Sequence, residues 1–266
     1  MGTNEKKHTF VICAYKESPY LEECIKSVIN QQEFSDVMLS TSTPNDYIRN
    51  LCEKYSIPMY VNEGQSSITL DWEFAIRQAK TPVVTIAHQD DVYLKDYAQT
   101  IIEEYNKRSE PLIFFTDYYE IRNGEYTDNN KNLRIKKIML SPLRAKITQS
   151  AKWIRRRILA LGNAISCPTV AYVPGNLPDP LFLNNFRSNG DWEAWERFSK
   201  LKGDFVYIHK PLMAHRIHSE SETSAVIDGG KRNAEDYAIF CKFWPKTIAR
   251  LLASCYKSSE DSNSLS

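Results

Sequence analysis

A chain of 266 residues, 42% of them apolar, can bury one large core or a domain with an appended lobe. No stretch reaches the roughly 18 consecutive apolar residues of a membrane span, and Met1 to Lys7 lacks a secretory apolar region. Six scattered cysteines without a CxxC pair exclude a thiolate metal site, so a cytoplasmic protein with reduced core thiols is expected.

Thr9 to Ala14 (TFVICA) is a β-rich apolar run, the first buried strand. Ser18 as N-cap and Pro19 at the first helical position then open a helix with Leu21, Cys24, Ile25, Val28 and Ile29 at helical spacing. A second unit follows, with a strand over Asp36 to Ser40 and a helix over Asp46 to Tyr55, and Ile57 to Val61 makes a short third strand. The next helix runs from Ile68 to Lys80, with Trp72, Ala75, Ile76 and Ala79 on one face. Repeated βα units predict a parallel sheet with helices on both faces, whose ligands gather at the carboxyl ends of the strands.

Such an end carries the strongest chemical signal. The apolar run Val83 to Ala87 passes through His88 and Gln89 straight into Asp90 and Asp91. Adjacent carboxylates at a strand end suit a hard divalent cation, which bridges and neutralises phosphates. The same acids could instead open the next helix, where negative charge favours the dipole.

A helix over Leu94 to Lys107 leads to a strand over Pro111 to Tyr118 and a turn at Asn123-Gly124. From Asn129 to Pro178 there are ten of the chain's 34 Lys and Arg residues and no acid, leaving 24 bases against all 33 acids, a formal −9, elsewhere. The net charge of +1 therefore hides a local basic field, suited to phosphate-bearing ligands or an anionic leaflet, or else a solvated helix face. Within it a helix is expected whose inner stripe is Ile147, Ala151, Ile154, Ile158 and Leu161, with Arg155 to Arg157 largely on other faces. A strand near Thr169 to Val173, a helix over Asp191 to Leu201, a strand over Phe205 to Ile208 and a helical region over Ala234 to Cys255, broken at Pro245, complete the reading.

Three motifs stand in order: Val11 to Gln31 (VICAYKESPYLEECIKSVINQ), Gln89-Asp90-Asp91, and Gly190 to Trp195 (GDWEAW) followed by His215 to His218 (HRIH). Together, over Thr9 to Thr223, they resemble a family 2 glycosyltransferase of the GT-A fold. The resemblance implies an α/β fold: a Rossmann-like nucleotide-binding sheet with helices on both faces, and a smaller, mostly helical acceptor-binding C-terminal part. It divides the chain into a nucleotide-sugar half (1–128), an acceptor and catalytic-base half (129–256) and a disordered tail (257–266). The implied reaction is inverting transfer of a sugar from a nucleotide-diphosphate donor to an acceptor hydroxyl, with Mn2+ or Mg2+.

Matched position by position, Ala14, Tyr15 and Glu17 lie in the loop against the base and ribose, with Gln89 also on the nucleotide side. Where the family carries two acids after the second strand, this chain has Thr41 and Ser42, which can hydrogen-bond a nucleotide or merely form a turn. His88 replaces the first acid of the metal motif, as an imidazole ligand or a structural group, leaving Asp90 as the metal ligand and Asp91 beside the donor sugar. Asp191 matches the catalytic base, with Glu193 in reserve. His218 matches a position at the metal or diphosphate, and Arg216, Ser221 and Thr223 would complete a closing loop.

The Gln-Asp-Asp form resembles the subset that includes bacterial rhamnosyltransferases and related surface-polysaccharide enzymes, which favours a UDP- or dTDP-sugar. The basic segment suits a saccharide acceptor linked to a lipid diphosphate, used in peripheral contact with the inner membrane face; no nucleic-acid partner is expected. A nucleotidyltransferase is disfavoured because Ala14 to Ser18 lacks a glycine-rich loop, and a dinucleotide oxidoreductase because there is no GxGxxG. The missing acids at Thr41, Ser42 and His88 leave a non-catalytic nucleotide-sugar-binding relative as the alternative.

Overall fold

A computed structural model describes residues 5–218 and 231–261. The strands are β1 (His8–Ala14), β2 (Ser35–Thr41), β3 (Met59–Val61), β4 (Val83–His88), β5 (Val92–Tyr93), β6 (Pro111–Arg122), β7 (Glu125–Thr127), β8 (Val170–Tyr172) and β9 (Asp204–Arg216). They form one sheet in the order β3-β2-β1-β4-β8-β6-β9-β5, with β7 a hairpin partner of β6. The first four strands are parallel; β8 pairs antiparallel with both β4 and β6, and β5 antiparallel with β9, so the sheet is mixed beyond these four.

The helices are α1 (Leu21–Ile29), α2 (Asp46–Tyr55), α3 (Ile68–Gln78), α4 (Tyr97–Tyr105), α5 (Lys131–Leu140), α6 (Lys152–Leu159), α7 (Gly190–Phe198), α8 (Lys231–Phe240) and α9 (Lys246–Asp261). In β1 the consecutive Phe10, Val11 and Ile12 are all fully buried, the pattern of a strand covered on both faces. Phe10 and Ile12 pack in one core with α1, α2 and α4, while Val11 packs in the other with α3, α7, α8 and α9. The expected α/β sheet with helices on both faces is therefore present.

Several boundaries differ for identifiable reasons. Helix α1 begins at Leu21, because Ser18 and Pro19 form a turn in which the Tyr20 and Leu21 amides donate to Ser18. The pair Asp90-Asp91 does not open a helix; it leads into β5, which removes the dipole alternative. Asn123 and Gly124 both have positive φ, the geometry of a tight hairpin turn, and the turn returns the chain as the unforeseen β7. Strand β9 continues past Ile208 by absorbing Pro211 at an irregularity in its pairing with β6. Helix α9 runs to Asp261, so the stretch expected as tail begins as helix, and 262–266 lie outside the described residues.

The largest correction lies in the basic segment. Only the middle of the expected inner stripe faces the core: Ile158 is buried and Ile154 packs against the core, but Ile147 is 86% and Leu161 56% exposed, and α6 spans only Lys152 to Leu159. Arg155, placed by the sequence on an outer face, is instead buried. Its guanidinium donates to the carbonyls of Ser199 (3.0 Å), Gly203 (2.5 Å) and Leu201, and stacks 4.8 Å over the Phe205 ring. These carbonyls at the end of α7 and in the turn after it need donors, and a planar five-donor fork supplies them where a lysine could not. Arg156 pairs with Glu196 at 2.8 Å, and Arg157 lies over the Trp244 ring.

His8 gives the fold a pH signature. It is fully buried between Ser35 Oγ (2.8 Å) and Thr85 Oγ1 (2.9 Å), and burial lowers its pKa from 6.5 to about 3. The unfolded chain therefore binds a proton that the fold refuses between these values. Stability should fall as pH drops below 6.5, by about 1.4 kcal/mol per pH unit from this group. A His8→Gln protein lacks that term, so its deficit in urea midpoint relative to the parent should shrink between about pH 7 and about pH 5. A constant deficit would show that His8 does not govern the slope.

Candidate active site

The pairing of β5 with β9 builds the centre of the site. Because Val92 faces Ala214, the preceding Asp91 meets the end of β9. Asp91 is fully buried; its Oδ1 accepts from the Arg216 amide at 3.0 Å and lies 2.8 Å from His215 Nδ1. Its Oδ2 is buried without a hydrogen-bond partner, as is His88 Nε2. Buried polar atoms are rarely left so. One ligand atom each from His88, Asp90 and Asp91 lie within 4.8 Å of one another, so an imidazole nitrogen and two carboxylate oxygens converge where a divalent cation would answer both orphans.

Charge is balanced around this cluster. His218 Nε2 lies 2.9 Å from Asp90 Oδ2. Burial raises the Asp90 pKa, but the His218 hydrogen bond and the charges of His215 and His88 outweigh it, and the net shift is downward. For His215 burial opposes the cation, and Asp91 with Asp90 more than compensates, so its pKa rises. Arg216, expected in a closing loop, is anchored at the strand end. It donates to the Asp90 carbonyl (3.0 Å) and to Glu23 Oε2 (2.6 Å), and stacks 4.4 Å over Tyr20. Ser221 and Thr223 lie outside the described residues.

The residues expected on the nucleotide side divide into scaffold and surface. The Gln89 amide clamps the backbone of Tyr15, accepting its N–H at 2.9 Å and donating to its carbonyl at 3.2 Å. Ala14 is buried, the Tyr15 ring is half exposed and Glu17 is exposed. Lys16 adopts a left-handed conformation, held by its amide on Thr43 Oγ1, which ties the loop after β1 to the loop after β2. Thr41 is buried and its hydroxyl caps the Thr43 amide, so it forms a turn. Ser42 donates to Asp71 Oδ2 at 2.9 Å, and Ser66 and Asn62 donate to the same carboxylate at 2.9 and 2.7 Å. The acid missing after β2 thus has a counterpart on α3.

Helix α3 also links the two halves of the site. Its Trp72 stacks on His88 with centroids 5.5 Å apart, and one turn earlier Thr69 touches Gly190, where a Cβ would come within 2.4 Å of it. Glycine permits that approach, which brings the start of α7, where Asp191 stands, against the first turn of α3. Burial pushes the Cys167 thiol up foremost, and the charges of Asp191 and of Asp91 both add to it. Lys136 acts on both Asp191 and His215. Asn163 Nδ2 holds Asp191 Oδ2 at 2.8 Å and the Trp192 amide holds Oδ1 at 2.6 Å. Burial raises the Asp191 pKa despite these bonds. Glu193 is buried and paired with both Arg197 and Lys242, which removes it as a reserve base.

The turn before Asp191 is fixed from α8. Glu235 accepts the backbone amides of Arg187, Ser188 and Asn189, and Asp236 accepts from the Asn189 side chain at 2.7 Å.

The pattern of Glycosyl transferase family 2 matches residues 9–163, more than half of the chain. The chain belongs to glycosyltransferase family 2. No protein of curated function matches it in sequence. The family 2 fold is shared with S. aureus TarS 1–349 in complex with UDP-GlcNAc (TM-score 0.60, 13% identity, 93% of this chain and 70% of that one). It is also shared with glucosyl-3-phosphoglycerate synthase from Mycobacterium tuberculosis in complex with phosphoglyceric acid (0.59, 10%, 89% and 80%). The mannosyltransferase PcManGT from Pyrobaculum calidifontis, with GDP-Man and Mn2+, aligns over 99% of this chain and 77% of its own (0.56, 11%). Against full S. aureus TarS the chain spans 42%.

Sequence reasoning missed Glu23, Asp71, Trp72, Asn163 and Glu235 in this glycosyltransferase. Each acts through a partner far away in the chain, and no local pattern announces it. The one available signal was Gly190 beside Asp191, since a glycine at a helix start implies a close approach.

Proposed function

We propose that this family 2 glycosyltransferase moves a sugar, with inversion, from a UDP- or dTDP-sugar to a hydroxyl of a saccharide acceptor. The observation that carries the reading is a cation-competent cluster with two orphaned buried ligand atoms, joined through α3 to a half-buried carboxylate of raised pKa. When bound, Mn2+ or Mg2+ on Asp90, Asp91 and His88 would neutralise the departing diphosphate. Asp191, oriented by Asn163 and the Trp192 amide, takes the acceptor proton as the acceptor oxygen attacks the anomeric carbon and the diphosphate leaves with the bonding pair. His218 and His215 hold Asp90 and Asp91 in place. UDP-GlcNAc and GDP-Man with Mn2+ in two structural relatives support a nucleotide-sugar donor. The acceptor in this reading is a lipid-diphosphate-linked saccharide of surface-polysaccharide assembly, met at the inner membrane face. Incubation with a panel of nucleotide sugars and Mn2+ should release a nucleoside diphosphate; release of pyrophosphate, or of neither, overturns the reading.

Asp71 supports the choice of nucleotide. A carboxylate accepts the N3–H of uracil or thymine, whereas cytosine presents an acceptor at that position. Asp71→Asn should weaken UDP and dTDP binding by about tenfold in calorimetry and leave CDP unaffected. Unchanged UDP affinity in the variant would remove Asp71 from base recognition.

A further inference from the structure

We infer that the surface formed by α5, the turn through Ile147, α6 and α9 docks on an anionic phospholipid bilayer. Seven of the nine exposed large apolar side chains among the described residues lie here, Ile138 (71%), Ile147 (86%), Trp153 (71%), Leu161 (56%) and Leu251 (66%) among them. These elements adjoin. The Cβ position of Gly162 is 2.9 Å from the Tyr256 ring of α9 and 3.7 Å from Met139 of α5, and Trp244 donates its indole N–H to the Ala160 carbonyl at the end of α6. The apolar residues are set singly among exposed Arg134, Arg144, Lys146, Lys152 and Arg157, in a segment without one acid.

This pattern selects the partner. The centre of a protein interface is depleted in lysine, whereas isolated isoleucine and tryptophan side chains among cations suit the headgroup region, where the charge meets lipid phosphate and the apolar ends enter the acyl boundary. The formal −9 of the rest of the chain is repelled by the anionic bilayer, so charge also orients the molecule with this face toward it. Among the described residues no helix is long and apolar enough to cross a membrane, so the contact is peripheral. For its use in the cell the inference rests on the lipid-linked acceptor proposed above, but the vesicle binding that tests it needs no acceptor.

The full chain should sediment with vesicles of equal phosphatidylglycerol and phosphatidylcholine, stay in solution with phosphatidylcholine alone, and be released by salt. Ile138→Ser and Trp153→Ser should each lower the partition coefficient by roughly tenfold, with circular dichroism and vesicle-free donor hydrolysis unchanged. Trp153 should give a blue shift of fluorescence on the anionic vesicles that a Trp153→Phe protein lacks. Two results overturn the inference: a folded protein that ignores both vesicle types, or a parent that elutes as a dimer and a Trp153→Ser protein that elutes as a monomer, which would make this face a contact between copies. Loss of donor hydrolysis in the parent would count against the glycosyltransferase reading alone.

Discussion

Asp191→Asn should lower turnover by roughly a hundred- to ten-thousand-fold while donor affinity stays within about twofold, because the carboxamide keeps the shape and cannot accept a proton. In the variant the Trp192 amide still donates to the carboxamide oxygen and a turned Asn163 amide accepts from the new NH2 through its otherwise unpartnered Oδ1, so the loss belongs to chemistry rather than to placement. The pH profile gives an independent reading. The proposed base works ionised, burial raises its pKa, and transfer should therefore fail as pH drops through a value above that of an ordinary aspartate. Asn163 pulls that pKa back down, so Asn163→Ala should move the acid limb to higher pH. Equal turnover in Asp191→Asn, measured with saturating donor, would assign the proton to another group.

The second large effect is on stability. Arg155→Met leaves the carbonyls of Ser199, Leu201 and Gly203 without their donor and should cost about 3–5 kcal/mol in denaturant unfolding. Burial lowers the Arg155 pKa to about 10, so it remains a cation at neutral pH. Arg155→Lys should recover less than half of the loss, since an ammonium cannot reach three carbonyls in a fork. Arg157→Ala, on an exposed side chain, should change stability by less than about 0.5 kcal/mol. Similar losses at both positions would contradict the structural role of Arg155.

That contrast marks what the sequence could and could not reveal. The parallel half of the sheet was legible because β1, β2 and β4 are apolar runs bounded by helices with their own periodicity, and α2 matches its expected bounds from Asp46 to Tyr55. The Asp90-Asp91 pair was legible because two acids at a strand end break an apolar pattern. Arg155 was not, because three consecutive arginines look alike until α7 ends against one of them. The length of β9 was hidden by Pro211, which would end a central strand unless its neighbour accommodates an irregularity, as β6 does. The replacement of the lost acid after β2 by Asp71 needed three-dimensional adjacency, since Ser42 and Asp71 are 29 residues apart.

The clamp of Glu235 on the three amides before Gly190 has a consequence for how this enzyme can be cut and recombined. The stretch that bears the family pattern ends at residue 163, yet the turn before Asp191, the base proposed above, is held by a helix that begins at Lys231. A fragment ending before that helix would retain the parallel half of the sheet and lose the brace of the proposed base, so grafting experiments that exchange acceptor preference must carry the terminal helices along with the loop they brace.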